Sequence, residues 1–149
     1  MKTLPNEIFF AEVEQLLSED NSVMITVQGN SMRPFIRSGR TKVLLAKCDP
    51  ESLQKGDIVL FRYHGRHVLH RIAKRIGTEF LMAGDGNYRI FENCKSEDIV
   101  AKVITIVSHS GRETDCESKF WRVASWCWTS LHPFIRRCIL ALLWRIGIK

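Results

Sequence analysis

Between residues 23 and 107 the chain is a succession of short β-branched and aliphatic runs, each cut off by glycine, proline, asparagine or aspartate. Residues 23–28, 42–47, 58–63, 67–75, 79–83 and 99–107 have strand character from their Val, Ile, Thr and aromatic content. Gly29-Asn30, Arg37-Ser38-Gly39-Arg40, Gly56-Asp57, His64-Gly65-Arg66, Gly77 and Gly84-Asp85-Gly86-Asn87 supply the turns between them. Short strands at close spacing with Gly-rich turns predict an antiparallel, barrel-like β core.

Helices flank this core. Asn6 can cap a helix with Glu7 in its first turn, and Phe9, Val13, Leu16 and Leu17 then form one apolar stripe. After the last strand, residues 108–118 are polar and have the character of a linker. Residues 119–149 read as helix broken near His132-Pro133. The predicted fold is therefore mainly β, α+β by content. It has an N-terminal helix in 1–22, a β core in 23–107, a linker in 108–118 and a helical tail in 119–149. The 45% hydrophobic content over 149 residues suits one globular body with a real core.

Charge is concentrated in the tail. Of the formal net charge of +6, nearly all comes from Lys119, Arg122, Arg136, Arg137, Arg145 and Lys149, opposed only by Glu117. On a helix running from Pro133, Arg137, Arg145 and Lys149 share one side, and Ile139, Leu140, Leu142 and Leu143 cover much of the rest. Arg136 faces the other way. All four tryptophans, Trp121, Trp126, Trp128 and Trp144, lie in this tail. Tryptophan and arginine on an amphipathic helix suit an anionic membrane surface, and they equally suit a helix docked on its own core. Nucleic acid is not an expected partner, since the near-neutral body offers no basic groove.

Five widely spaced cysteines (Cys48, Cys94, Cys116, Cys127 and Cys138) form no Cys-x-x-Cys pair, so neither a zinc site nor a redox motif is predicted. Reduced thiols fit a reducing compartment. The acid-bearing N-terminal stretch resembles neither a signal peptide nor a span, and no window approaches the roughly 20 apolar residues a membrane helix needs. The expected location is the cytoplasm, with the tail able to bring the protein to the inner face of the membrane.

The stretch Val27-Gln28-Gly29-Asn30-Ser31-Met32-Arg33-Pro34 sets a serine at the tip of a tight turn. A turn serine is often only a turn residue. As a nucleophile it needs a base to take its proton. Strand 67–75 offers two: by period-two alternation Val68, His70, Ile72 and Lys74 share a face. An imidazole titrates near pH 6.5, roughly at working conditions, whereas a lysine amine starts near 10.4 and needs lowering by about three units, roughly 4 kcal/mol of desolvation. Lys74, beside Arg75 and Gly77 at a strand end, lacks the setting for that, so His70 is the predicted base. The orienting acid is Asp85 in the turn one hairpin later, with Glu92 as the rival. Asp57 is better suited to closing a turn.

Gly29-Asn30-Ser31-Met32-Arg33-Pro34, then Gly56-Asp57-Ile58-Val59, then Val68-Leu69-His70-Arg71-Ile72, then Gly84-Asp85-Gly86-Asn87 resemble, in order and spacing, the boxes of the signal peptidase I and LexA-type clan of serine peptidases. The histidine directly before Arg-Ile is similar to the endoplasmic-reticulum-type branch, which uses histidine where the other branches use lysine. The resemblance implies Ser31 as nucleophile, His70 as base, a nearby acid, and a small apolar-lined cleft with Met32 and Pro34 beside the substrate. It implies no cofactor and no metal. Members of that branch carry a further acidic pair shortly after the Gly-Asp box, where this chain reads Tyr88-Arg89-Ile90-Phe91 with Glu92 the nearest carboxylate. The expected activity is a serine endopeptidase trimming a peptide or protein precursor. The alternative is a catalytically inactive peptide-binding or regulatory module of the same fold.

Overall fold

The computed structural model describes residues 6–147, with the side chain of Tyr88 left aside. Lys149 and the opening Met1–Pro5 lie outside the described residues. Helix α1 (Asn6–Ser18) leads into strands β1 (Val23–Thr26), β2 (Lys42–Ala46), β3 (Ile58–Tyr63), β4 (Arg66–Ile76), β5 (Glu79–Gly84), β6 (Asn87–Lys95), β7 (Ile99–Val107) and β8 (Glu113–Asp115). Helices α2 (Lys119–Ser130) and α3 (Pro133–Arg145) follow.

All pairings are antiparallel, in the order β1-β2-β7-β3-β4-β5-β6 with β8 joined to β7. The edge strands β1 and β6 do not pair, so the sheet curls without closing into the barrel that the spacing of turns suggested. Bulges at Leu44/Leu45, Leu60/Phe61, Ile72/Lys74 and Ala83/Gly84 supply local bends and added twist.

Alternation along β3 explains why the sheet is buried on both faces. Ile58 and Leu60 join one apolar cluster with Val13 and Leu17 of α1, Val43, Leu45, Val103 and Ile106. Val59 and Phe61 point the other way, into a second cluster with Ile72, Phe80, Met82 and Cys94. Each such side chain taken fully out of water contributes about 1.5–3 kcal/mol before ordering costs. The turn His64-Gly65 takes left-handed φ values of 48° and 74°, the geometry of a two-residue hairpin, and fixes the β3–β4 register at Tyr63 opposite Arg66. Phe10 of α1 stacks on His67 with ring centroids 4.3 Å apart, and Glu14 meets the His67 Nε2 at 2.7 Å.

Strand β6 was not read from the sequence. Within 108–118, expected as a polar linker, lies β8, which pairs Glu113–Asp115 with Val107–Thr105. Lys102 on β7 holds Glu117 at 2.8 Å, and that hydrogen bond is the main reason the Glu117 carboxyl lies below its ordinary range.

The tail is docked along one side and bare along the other. Trp121 and Trp128 meet the ring of Phe35 edge-on at 5.7 and 5.3 Å. Arg136, the residue that faces away from its basic neighbours, is buried with its guanidinium 5.2 Å from the Trp128 ring. Phe120, Trp126, Phe134 and Trp144 are exposed. Among the described residues no helix is long and apolar enough to cross a membrane.

Candidate active site

Ser31 sits half-buried in a loop pinned from two sides. Gly29, at φ +93°, turns the chain out of β1 and its extension, a conformation that strains any larger residue. Met32 and Ile36 then drive inward, 2% and 0% exposed, while Phe35 packs against α2. With Met32 and Ile36 anchored, the serine is left at the surface of the loop facing β4.

His70 reaches it from the middle of β4, where it pairs with Val59. Its Nε2 lies 3.0 Å from Ser31 Oγ, and its Nδ1 lies 3.0 Å from Glu92 Oε2. An ionised carboxylate only accepts, so the neutral ring carries its hydrogen on Nδ1 and presents the Nε2 lone pair to the hydroxyl. The histidine is 7% exposed, and the Glu92 side chain is 13% exposed. The imidazole and carboxylate of this hydrogen-bonded row are thereby largely withdrawn from water, where electrostatic coupling is stronger.

Asp85, the predicted orienting acid, is elsewhere. Both of its oxygens are held at 2.8 Å by Nε and Nη2 of Arg71. Both ring nitrogens of His70 already have partners, and the carboxylate among them is that of Glu92, not Asp85. Arg71 is 1% exposed, donates a third hydrogen bond to the Gly56 carbonyl at 3.0 Å, and lies over the rings of Phe35 and Trp121 at 5.3 and 5.5 Å. This one guanidinium ties together the Gly-Asp turn before β3, strand β4, the β5–β6 turn, the serine loop and α2. Its signal in the sequence is a cation flanked by aliphatic residues in Leu69-His70-Arg71-Ile72, which has no reason to be there unless it is paired.

The β5–β6 turn touches the serine loop through glycines. Gly86 donates its N–H to the Ser31 carbonyl at 2.8 Å. A methyl group built on Gly84 would lie 2.5 Å from that carbonyl oxygen and 3.2 Å from His70 Nε2, so only glycine allows this approach.

The remaining predicted residues divide. Met32 is a core side chain and has no face toward a cleft, so its placement beside the substrate is corrected. Pro34 is partly exposed and lines a cavity next to the serine. Lys74 is exposed: the bulge at Ala73 ends the alternation that put it on the His70 face. Asp57 accepts the Gln54 N–H at 2.9 Å and closes its turn. Among the described residues no cluster of His, Cys, Asp and Glu is arranged to hold a metal ion. Burial pushes the thiols of Cys94 and Cys116 up to about 12 and that of Cys48 to about 11, so none of these is an activated nucleophile.

The Peptidase S24-like family model matches residues 3–104, from before α1 into β7. The chain belongs to the Peptidase S24-like family. No match was found among curated proteins. Membership carries a serine-peptidase-like fold of the LexA and signal peptidase clan. The matched span holds the serine loop, β4 and the whole β5–β6 hairpin. Helices α2 and α3 lie beyond it, although α2 packs directly on the residues that family match contains.

Proposed function

We propose that this S24-like protein is a serine endopeptidase that cleaves a peptide or protein precursor. The observation that carries the reading is the continuous relay from Ser31 Oγ through His70 to Glu92, with both contacts at 3.0 Å. In the proposed reaction His70 Nε2 takes the serine proton as Oγ attacks the scissile carbonyl. Glu92 holds the imidazole in the needed tautomer and stabilises the imidazolium that forms. The same Nε2–H then protonates the leaving amine, and the imidazole activates the water that releases the acyl group. The use of histidine aligns the chain with the endoplasmic-reticulum-type branch of the clan.

Incubation of the purified protein with candidate precursors tests this. Ser31→Ala and His70→Ala should each lower cleavage by several orders of magnitude, because the pair acts as a unit. Cleavage surviving both substitutions overturns the reading. Wild-type protein that retains an uncut peptide would make it a binding module instead.

We further propose that the outward side of α2–α3 rests on an anionic membrane surface. Phe120 is 83% exposed and Phe134 and Trp144 are each 65% exposed, with Lys119, Arg137 and Arg145 also exposed among them. Apolar side chains interleaved with cations and no acid suit a headgroup layer. Flotation with phosphatidylglycerol-containing vesicles should exceed flotation with phosphatidylcholine alone, and a Phe120→Ser/Phe134→Ser variant should lose it. Equal flotation of wild type and variant counts against this surface.

A further inference from the structure

A cavity of about 250 Å³ opens directly beside the serine loop. Arg33, Pro34 and Arg37 form one side, and Leu140, Leu143 and Trp144 of α3 form the other. Asn30 and Arg33 bracket Ser31 in the chain, so the cavity begins within a residue or two of the nucleophile. No acidic side chain lines it.

Its two cations lack partners. Among the described residues neither Arg33 nor Arg37 takes part in an ion pair, and the Arg33 Nε is sealed from solvent with no hydrogen-bond acceptor. By contrast, Arg71 has a bidentate carboxylate and Arg75 has Glu51 at 2.7 Å. An orphaned buried donor carries a desolvation penalty that native structures rarely tolerate without a reason. A guanidinium fork is the group best matched to a carboxylate, and two of them beside an apolar wall suit a carboxylate carried on a hydrocarbon stem.

We propose that this cavity is a substrate subsite that binds a peptide carboxylate next to the scissile bond, with Arg33 and Arg37 on the anion and Leu140, Leu143 and Trp144 on its aliphatic stem. The proposal rests on the peptidase reading and names its substrate class. Two sources share the chemistry: an acidic side chain within the substrate, and a free chain terminus.

The test reads binding rather than cleavage, in the full-length Ser31→Ala protein, so it is separate from whether hydrolysis occurs. The probes are the capped peptides Ac-Ala-Ala-Glu-Ala-Ala-NH2 and its Gln counterpart, and Ac-Ala-Ala-Ala-Ala-Ala with a free carboxylate, titrated by calorimetry. The Glu peptide should bind at least tenfold tighter than the Gln peptide if the anion is a side chain. The free-carboxylate peptide should take that advantage if it is a terminus. Adding Arg33→Gln or Arg37→Gln should erase the advantage while the melting temperature holds; if one variant fails to fold, the other answers. Equal affinity of all three peptides, including no measurable binding of any, overturns the subsite. Hydrolysis in the wild type with preference for neither a Glu side chain nor a free terminus overturns the subsite alone and leaves the peptidase standing.

Discussion

Two carboxylates stand on the β5–β6 hairpin, Asp85 at its turn and Glu92 on its returning strand, and their surroundings assign them different work. Asp85 is 1% exposed and meets a permanent cation with both oxygens. Its partner is a guanidinium, which keeps its charge at working pH. Glu92 meets a group that gains and loses a proton. In the proposed reaction its charge is balanced by the imidazolium that forms. The difference lies in the partner: a buried guanidinium for Asp85, and for Glu92 an imidazole whose other nitrogen contacts Ser31.

Exchanging each acid for its amide should separate the two. The larger effect on turnover is expected from Glu92→Gln: the amide loses the charge and offers the imidazole the wrong tautomer, lowering kcat by up to about 10⁴-fold. Its melting temperature should change little. Asp85→Asn should leave a buried guanidinium without its counter-charge, at about 3–5 kcal/mol. For a chain of this length that is a fall in melting temperature on the order of 10 °C, read by calorimetry. Turnover by the fraction still folded should drop far less than in Glu92→Gln. The opposite pattern, with Asp85→Asn stable but inactive and Glu92→Gln active, would break the comparison and return the catalytic role to Asp85.

The difference between these acids also marks what the sequence could and could not disclose. Serine and histidine were legible because each sits in a regular pattern: a strand ending in Gly-Asn before the serine, and unbroken alternation from Val68 to Ile72. Glu92 stood only as the rival acid, because Asn-Tyr-Arg-Ile-Phe-Glu-Asn-Cys-Lys is an edge strand with little apolar alternation to mark it. Without that strand the acid in the nearer turn was the natural choice. Met32 was misplaced for a related reason. Adjacent residues in a tight loop point in different directions, so a serine turned outward sends its neighbour into the core. Lys74 shows the converse. A one-residue bulge carries no reliable mark in sequence, yet it turned the lysine away and removed the competing base.

Open edges, unlike bulges, have a visible consequence in the topology. The turns predicted a barrel, but β1 and β6 do not pair with each other, and α2–α3 contributes packing and a cavity wall at the side of the serine loop. The basic, tryptophan-rich tail therefore has two faces: Trp121 and Trp128 are committed to Phe35, Trp126 is exposed, and Trp144 is exposed at the edge of the cavity.

Gly84 contributes by taking up almost no room. The serine comes from one end of the chain's β region and the histidine from its middle, and the strand end that meets both carries no side chain at that point. A side chain there would push on the serine loop and on the imidazole together, so the direct contact between Ser31 and His70 depends on a neighbour that has none. Every other residue is thicker. The reactive geometry has no slack to take up at that position, and its accuracy comes from an atom that is missing.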